Sequence, residues 1–221
     1  MKHVTLLASA AVLLATTSTA AAYYPVKPYA FVDLGAGVVD LSERESQLQR
    51  IFNETGALNT STGSNESGMA YALGFGARFS PHWAAELGFY DLGEFKASGR
   101  ANNAGNGNRV SFSEDIDING LGLRGIGRYP LTTYLGVEVS AGVAYMRTRN
   151  SQAVRDDGAL VERNRESETN LAPMLGLGLS YIITSDFSLR AGITHFNDVG
   201  DRNTTGKGDV QFYSVGTTFS F

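Results

Sequence analysis

The stretch Pro173-Met-Leu-Gly-Leu-Gly-Leu-Ser-Tyr-Ile182 decides the fold. Leu175, Leu177, Leu179 and Tyr181 alternate with Gly176, Gly178 and Ser180, a period of two that sends one set to each face of an extended strand. The dyad runs again through residues 134–146, where Leu135, Val137, Val139, Ala141, Val143 and Tyr145 stand against Gly136, Glu138, Ser140, Gly142 and Ala144. It recurs in 30–38, 71–79, 83–95, 120–129, 187–196 and 213–221. These eight segments have about the 9–11 residues with which a tilted strand crosses a bilayer.

A soluble barrel would alternate too, with its apolar face around a ligand cavity and Lys and Glu on the watered side. Here the non-apolar face is Gly, Ser and Ala with single charges, which suits the narrow interior of a small barrel. The apolar face ends in Phe79, Trp83, Tyr129, Tyr181, Phe187, Phe219 and Phe221, placed as an interfacial girdle is placed. The connections are unequal as well. Residues 80–82, 129–132 and 184–186 read as tight turns, whereas 41–67, 96–109, 148–168 and 199–208 read as long polar loops. The expected fold is therefore an all-β, eight-stranded antiparallel transmembrane β-barrel with short periplasmic turns and long extracellular loops, in a Gram-negative outer membrane.

Composition agrees and excludes much else. The 221 residues include no Cys, which removes a disulfide scaffold, a zinc ribbon and a thiol nucleophile. A formal charge of −4 argues against nucleic acid as a partner. Lys2 and His3, an apolar run over 4–15 and small residues to Ala22 predict a signal peptide over 1–22, with the barrel over 23–221. The apolar run is shorter than the roughly 18 residues of a spanning helix. With no second such run in the sequence, membrane crossing falls to strands.

The candidate chemistry is sparse. His3 leaves with the signal, and His82 falls in a turn. His195 lies on the outer face near the loop end of its strand, but two residues on stands Asn197, not a Ser that an imidazole could activate. No catalytic residue is predicted. Asp156, Asp157, Glu162, Glu166 and Glu168 interleave with Arg149, Arg155, Arg163 and Arg165, so no metal is predicted where opposite charges neutralise the oxygens. The Gly-rich runs 73–76 and 175–178 precede no helical pattern, which removes a dinucleotide fingerprint and with it any cofactor. Ser42 and Glu45 form a capping box, followed by Leu48, Ile51 and Phe52; this predicts a short amphipathic helix on the barrel rim.

Parity sends Asp33, Arg78, Glu86, Arg124, Arg128, Glu138 and Arg190 to the lumen, where charges need partners and a guanidinium fork can bridge carboxylates. At the C-terminus Tyr213, Val215, Thr217, Phe219 and Phe221 share the lipid face.

The stretches Trp83-Ala-Ala-Glu-Leu-Gly-Phe-Tyr-Asp-Leu-Gly93, Tyr129-Pro-Leu-Thr132, Ile183-Thr-Ser-Asp-Phe-Ser-Leu-Arg190 and Asn197-Asp-Val-Gly-Asp201 resemble the eight-stranded domain of the outer membrane protein A family. The aromatic end 213–221 is similar to the assembly signal of outer-membrane barrels, carried by Tyr213, Phe219 and Phe221. The resemblance places Glu86 and Arg190 on the family's central luminal ion pair, and parity adds Arg124, Arg128 and Glu138 to the expected network. The resemblance also implies outer-membrane lipid, lipopolysaccharide and the barrel assembly machinery as partners, with a host or surface ligand held by the loops. The implied function is a structural scaffold presenting loops for adhesion or host interaction. A small pore or hydrophobic-solute conduit is the alternative, and a lipid A-modifying enzyme the third. The peptidoglycan-binding domain of longer members has no counterpart in this sequence, so wall anchoring is not implied.

Overall fold

Alternating lipid-facing and lumen-facing side chains leave the backbone to satisfy itself laterally, and in hydrocarbon only a closed sheet does so. The computed structural model describes residues 24–39, 58–102, 109–156, 159–200 and 208–221. The expected signal peptide over 1–22 and the expected rim helix around 42–52 lie outside the described residues. The strands are β1 Lys27–Val39, β2 Leu58–Asn65, β3 Ser67–Arg78, β4 Trp83–Asn102, β5 Arg109–Pro130, β6 Leu135–Asp156, β7 Ala159–Ile182, β8 Phe187–Val199 and β9 Gly208–Ser220. All pairings are antiparallel, and β9 pairs with β1 to close the sheet. β2 pairs only with β4, directly above β3, and Glu66 alone separates β2 from β3. The two share one strand position, so eight positions complete the barrel.

Three turns close one end with the same device. The hydroxyls of Ser80, Thr132 and Thr184 accept from the N–H three residues on, at 3.0 Å from Trp83, 2.9 Å from Leu135 and 3.1 Å from Phe187. Each hydroxyl residue also donates its own N–H to the carbonyl of that same residue. The second turn occupies 131–134, two residues later than the sequence suggests, because β5 runs on through Pro130. Proline is tolerated there at the end of a strand.

The outward face between the ends carries Leu121, Leu123, Val139, Val143, Leu175 and Leu177, all exposed. Above Leu121, Tyr145 and Leu171 the strands continue but their chemistry changes sides. Asp115, Asp117, Arg147 and Arg149 now point outward, while Ile116, Ile118 and Met146 are buried within. Most of 96–109 and 148–168 is therefore strand and not loop, since β4 reaches Asn102, β5 starts at Arg109, β6 reaches Asp156 and β7 starts at Ala159. The apolar outward signal vanishes where a strand leaves lipid, and the remaining polar alternation resembles a loop.

Two of the register shifts, in β4 and β8, adjust the parity beside the lumen. In β4 the register shifts between Asp91 and Gly93, where Gly93 has φ +95° and its N–H bonds Asp91 Oδ1 at 3.0 Å. Phe95 consequently turns inward and is buried, although uninterrupted alternation over 83–95 would put it in lipid. In β8 the shift lies between Phe196 and Val199, with Asp198 at φ +62°. The Asn170 side chain clamps this second bulge, donating to Asp198 O at 2.5 Å and accepting from Gly200 N at 3.2 Å.

Candidate functional site in the barrel lumen

β4, β5, β8 and β1 each send one charged residue to the middle of the lumen: Glu86, Arg124, Arg190 and Asp33, all buried. Glu86 faces Arg124 directly across the β4–β5 register. It accepts from Arg124 Nε at 2.9 Å and Nη2 at 2.6 Å, a two-pronged pairing, and from Arg190 Nη1 at 2.6 Å. Tyr29 adds a hydroxyl donor to Glu86 Oε1 at 2.8 Å. Arg190 in turn grips Asp33, through Nε to Oδ1 at 2.6 Å and through Nη2 to Oδ2. Gly216 makes this grip feasible: a Cβ at that position would collide with Asp33 Oδ1 and the Val32 carbonyl.

Two carboxylates and two guanidiniums thus close a neutral network on fixed strands. Each guanidinium also lies over the Phe31 ring, at 4.4 Å for Arg190 and 5.9 Å for Arg124, where the ring face attracts a cation.

Of the residues expected in a luminal network, Glu86, Arg124 and Arg190 are brought together. Arg128 and Glu138 are not: they oppose each other in the β5–β6 register but sit below the cluster, with no nitrogen–oxygen approach within 4.0 Å between them. Sequence reasoning gave Asp33 no special weight and missed Tyr29. The inward parity of Tyr29, Phe31 and Asp33 on β1 was the available signal.

It missed a second closure as well. Above the cluster Tyr90, Leu92, Phe95, Met146, Phe196 and Phe212 fill the lumen and are almost wholly buried, and the Tyr90 and Phe196 rings meet edge to face at 5.4 Å. These inward side chains escaped attention because the outward apolar set on the same strands is larger. Among the described residues a cavity of about 40 Å³ lies beside Asp33, Arg124 and Arg190 and one of about 20 Å³ beneath them.

Outside the lumen, His195 faces outward with Nε2 3.6 Å from Asp209 Oδ2. Tyr213, Phe219 and Phe221 are exposed on the outer face of β9 and just beyond it.

Residues 31–221 match the model of the OmpA-like transmembrane domain. The chain belongs to this family. It is a multi-pass β-barrel of the Gram-negative outer membrane, set in lipid and lipopolysaccharide. The relatives are distant: outer membrane protein A of Klebsiella aerogenes is 24% identical over 176 residues, covering 77% of this chain and 45% of that protein. The Salmonella typhi protein of the same name is 23% identical over 172 residues, with the same shares covered. The chain therefore spans about half the length of the curated relatives it matches. Among solved structures, the N-terminal barrel domain of Pseudomonas aeruginosa OprF is 13% identical, with a TM-score of 0.47 over 89% of this chain and all of that one.

Proposed function

We propose that the protein is a non-enzymatic outer-membrane scaffold with a closed lumen, whose strand extensions carry a charged surface outward for adhesion or host interaction. The observation that carries this reading is the double closure: a neutral salt-bridge network at mid-height and a packed apolar layer above it. Cavities of about 40 and 20 Å³ hold a few waters and no solute, which speaks against the pore and conduit readings. The family's members are membrane barrels, and Asn197 stands where a nucleophile would accompany His195, which supports a role without catalysis. The outward Tyr213, Phe219 and Phe221 fit recognition by the barrel assembly machinery.

Two measurements test the proposal together. Purified protein in planar bilayers should give no stepwise conductance. Replacing residues 148–168 by a tight turn should abolish attachment of expressing cells to host surfaces while leaving the heat-modifiable barrel intact. Steady conductance steps, or attachment that survives the trimming, would overturn it.

A further inference from the structure

Two luminal guanidiniums stand apart from the central network. Arg78 and Arg128 line the cavity at the periplasmic mouth together with Glu138, Tyr29 and Thr218, with Glu86 and Arg190 at its inner end. Among the described residues neither has an ion pair within 4.0 Å. Arg78 lies over the Tyr29 ring at 4.8 Å, and its hydrogen bonds go to hydroxyls at long range: Ser220 Oγ at 3.4 Å and Thr218 Oγ1 at 3.5 Å. Arg128 Nε is buried with no partner, and so is Ser180 Oγ. Both lie against Gly136, 2.8 Å and 3.4 Å from where its Cβ would stand. Burying such donors without an acceptor is unfavourable. Glu86 and Arg190 of the charge-balanced central network form the inner wall of this vestibule, and outside that network Arg78 and Arg128 face the single carboxylate of Glu138.

We propose that the vestibule is a binding site for a phosphate group, held between Arg78 and Arg128 with the hydroxyl of Thr218 as a further donor. Guanidinium forks match phosphate oxygens with paired hydrogen bonds. The inner space of about 20 Å³ takes one or two oxygen atoms, so the inner oxygens of a phosphate group enter while the rest of the group and any organic body stay in the open mouth. That chemistry is shared by free phosphate and by a phospholipid headgroup of the periplasmic leaflet. Glu138 opposes the ligand, both by repelling it and by competing for Arg128.

The test uses the full chain folded in detergent micelles, titrated with inorganic phosphate against chloride at equal ionic strength and followed by phosphorus NMR line broadening. A second arm compares thermal unfolding in phosphatidylglycerol and phosphatidylcholine vesicles. Broadening in micelles identifies free phosphate as a ligand; a phosphatidylglycerol-specific rise in the unfolding midpoint, lost in Arg128→Gln, identifies the headgroup. Either supports the site. Affinity should fall at least tenfold in Arg128→Gln, rise severalfold in Glu138→Gln and stay unchanged in Arg100→Gln, whose side chain is exposed on the extension of β4. If Arg128→Gln does not fold, Glu138→Gln still decides. The site does not exist if neither arm responds, if Glu138→Gln binds no tighter, or if Arg100→Gln loses as much as Arg128→Gln.

Discussion

Replacing Glu86 by Gln should destabilise the barrel by about 4 kcal/mol, within the range for breaking a buried ion pair from one side. Glu86 accepts four hydrogen bonds in the structure, three of them from guanidiniums. The amide keeps one acceptor oxygen but turns an NH₂ toward positive charge. Arg190 retains Asp33, so its loss is partial. Arg124 has no second carboxylate: beside the amide oxygen it keeps a contact to Thr194 Oγ1 at 3.4 Å and the Phe31 and Tyr90 ring faces, so one buried guanidinium loses its counter-ion. A cost of about 4 kcal/mol lowers the folding equilibrium constant roughly a thousandfold.

Urea unfolding in lipid vesicles measures it, with the single Trp, Trp83, as reporter and heat-modifiable migration as a second readout. Adding Arg124→Met to Glu86→Gln should recover more than half of the loss, because removing both partners of a buried pair is far milder than removing one. A single variant within about 1 kcal/mol of the parent, the scale of an exposed pair, would refute the reasoning: the carboxylate would then be hydrated, not buried in a network.

Other predictions address the ends of the barrel. Gly93→Ala places a Cβ 2.6 Å from the Met69 carbonyl at φ +95°, so the same unfolding assay should register a loss of about 1–3 kcal/mol. Partial burial and the facing Glu94 hold the Asp117 carboxyl above its ordinary pKa, against the pull of Arg149. An acid raised in the native state withdraws stability as pH climbs from its unfolded value through its native one. Glu94→Gln should therefore stabilise the protein at pH 7 and lose that advantage below about pH 4, where carboxylates are protonated in both states; unfolding midpoints at the two pH values check it. Deleting Phe221 should lower outer-membrane insertion far more than secretion, and normal amounts of heat-modifiable barrel in the membrane fraction would count against an assembly role for the aromatic terminus.

The barrel was legible in the sequence wherever lipid wrote it. Leu175, Leu177 and Leu179 must face hydrocarbon, so their period of two is unambiguous, and the parity it sets carries Glu86, Arg124 and Arg190 to the lumen. Beyond the bilayer that constraint ends. Ile116 and Ile118 point inward between Asp115 and Asp117, and polar strands of this kind lack a marker that separates them from loops. Parity also fails silently at a bulge: nothing short of the left-handed Gly93 announces that Phe95 has changed sides. The split of the luminal charges was equally hidden, because parity tells which residues share an interior but not at what height. Arg128 and Glu138 satisfy the same rule as Arg124 and Glu86, yet the strands deliver them to a different level.

The outward charges of the extensions have a kinetic consequence. Arg147, Arg149 and Arg165 are exposed on the outer face of β6 and β7, so each must pass through hydrocarbon before it reaches the far side. A guanidinium at the bilayer midplane of a barrel costs roughly 2–4 kcal/mol, and this hairpin carries these three and also Arg155 and Arg163 across. Insertion should slow steeply as the bilayer thickens, and speed up wherever packing defects or a catalyst thin it. Withdrawal meets the same barrier from the other side. The polar extension behaves as a barb, and residence in the membrane is secured by the slowness of pulling these charges back as well as by the apolar belt beneath them.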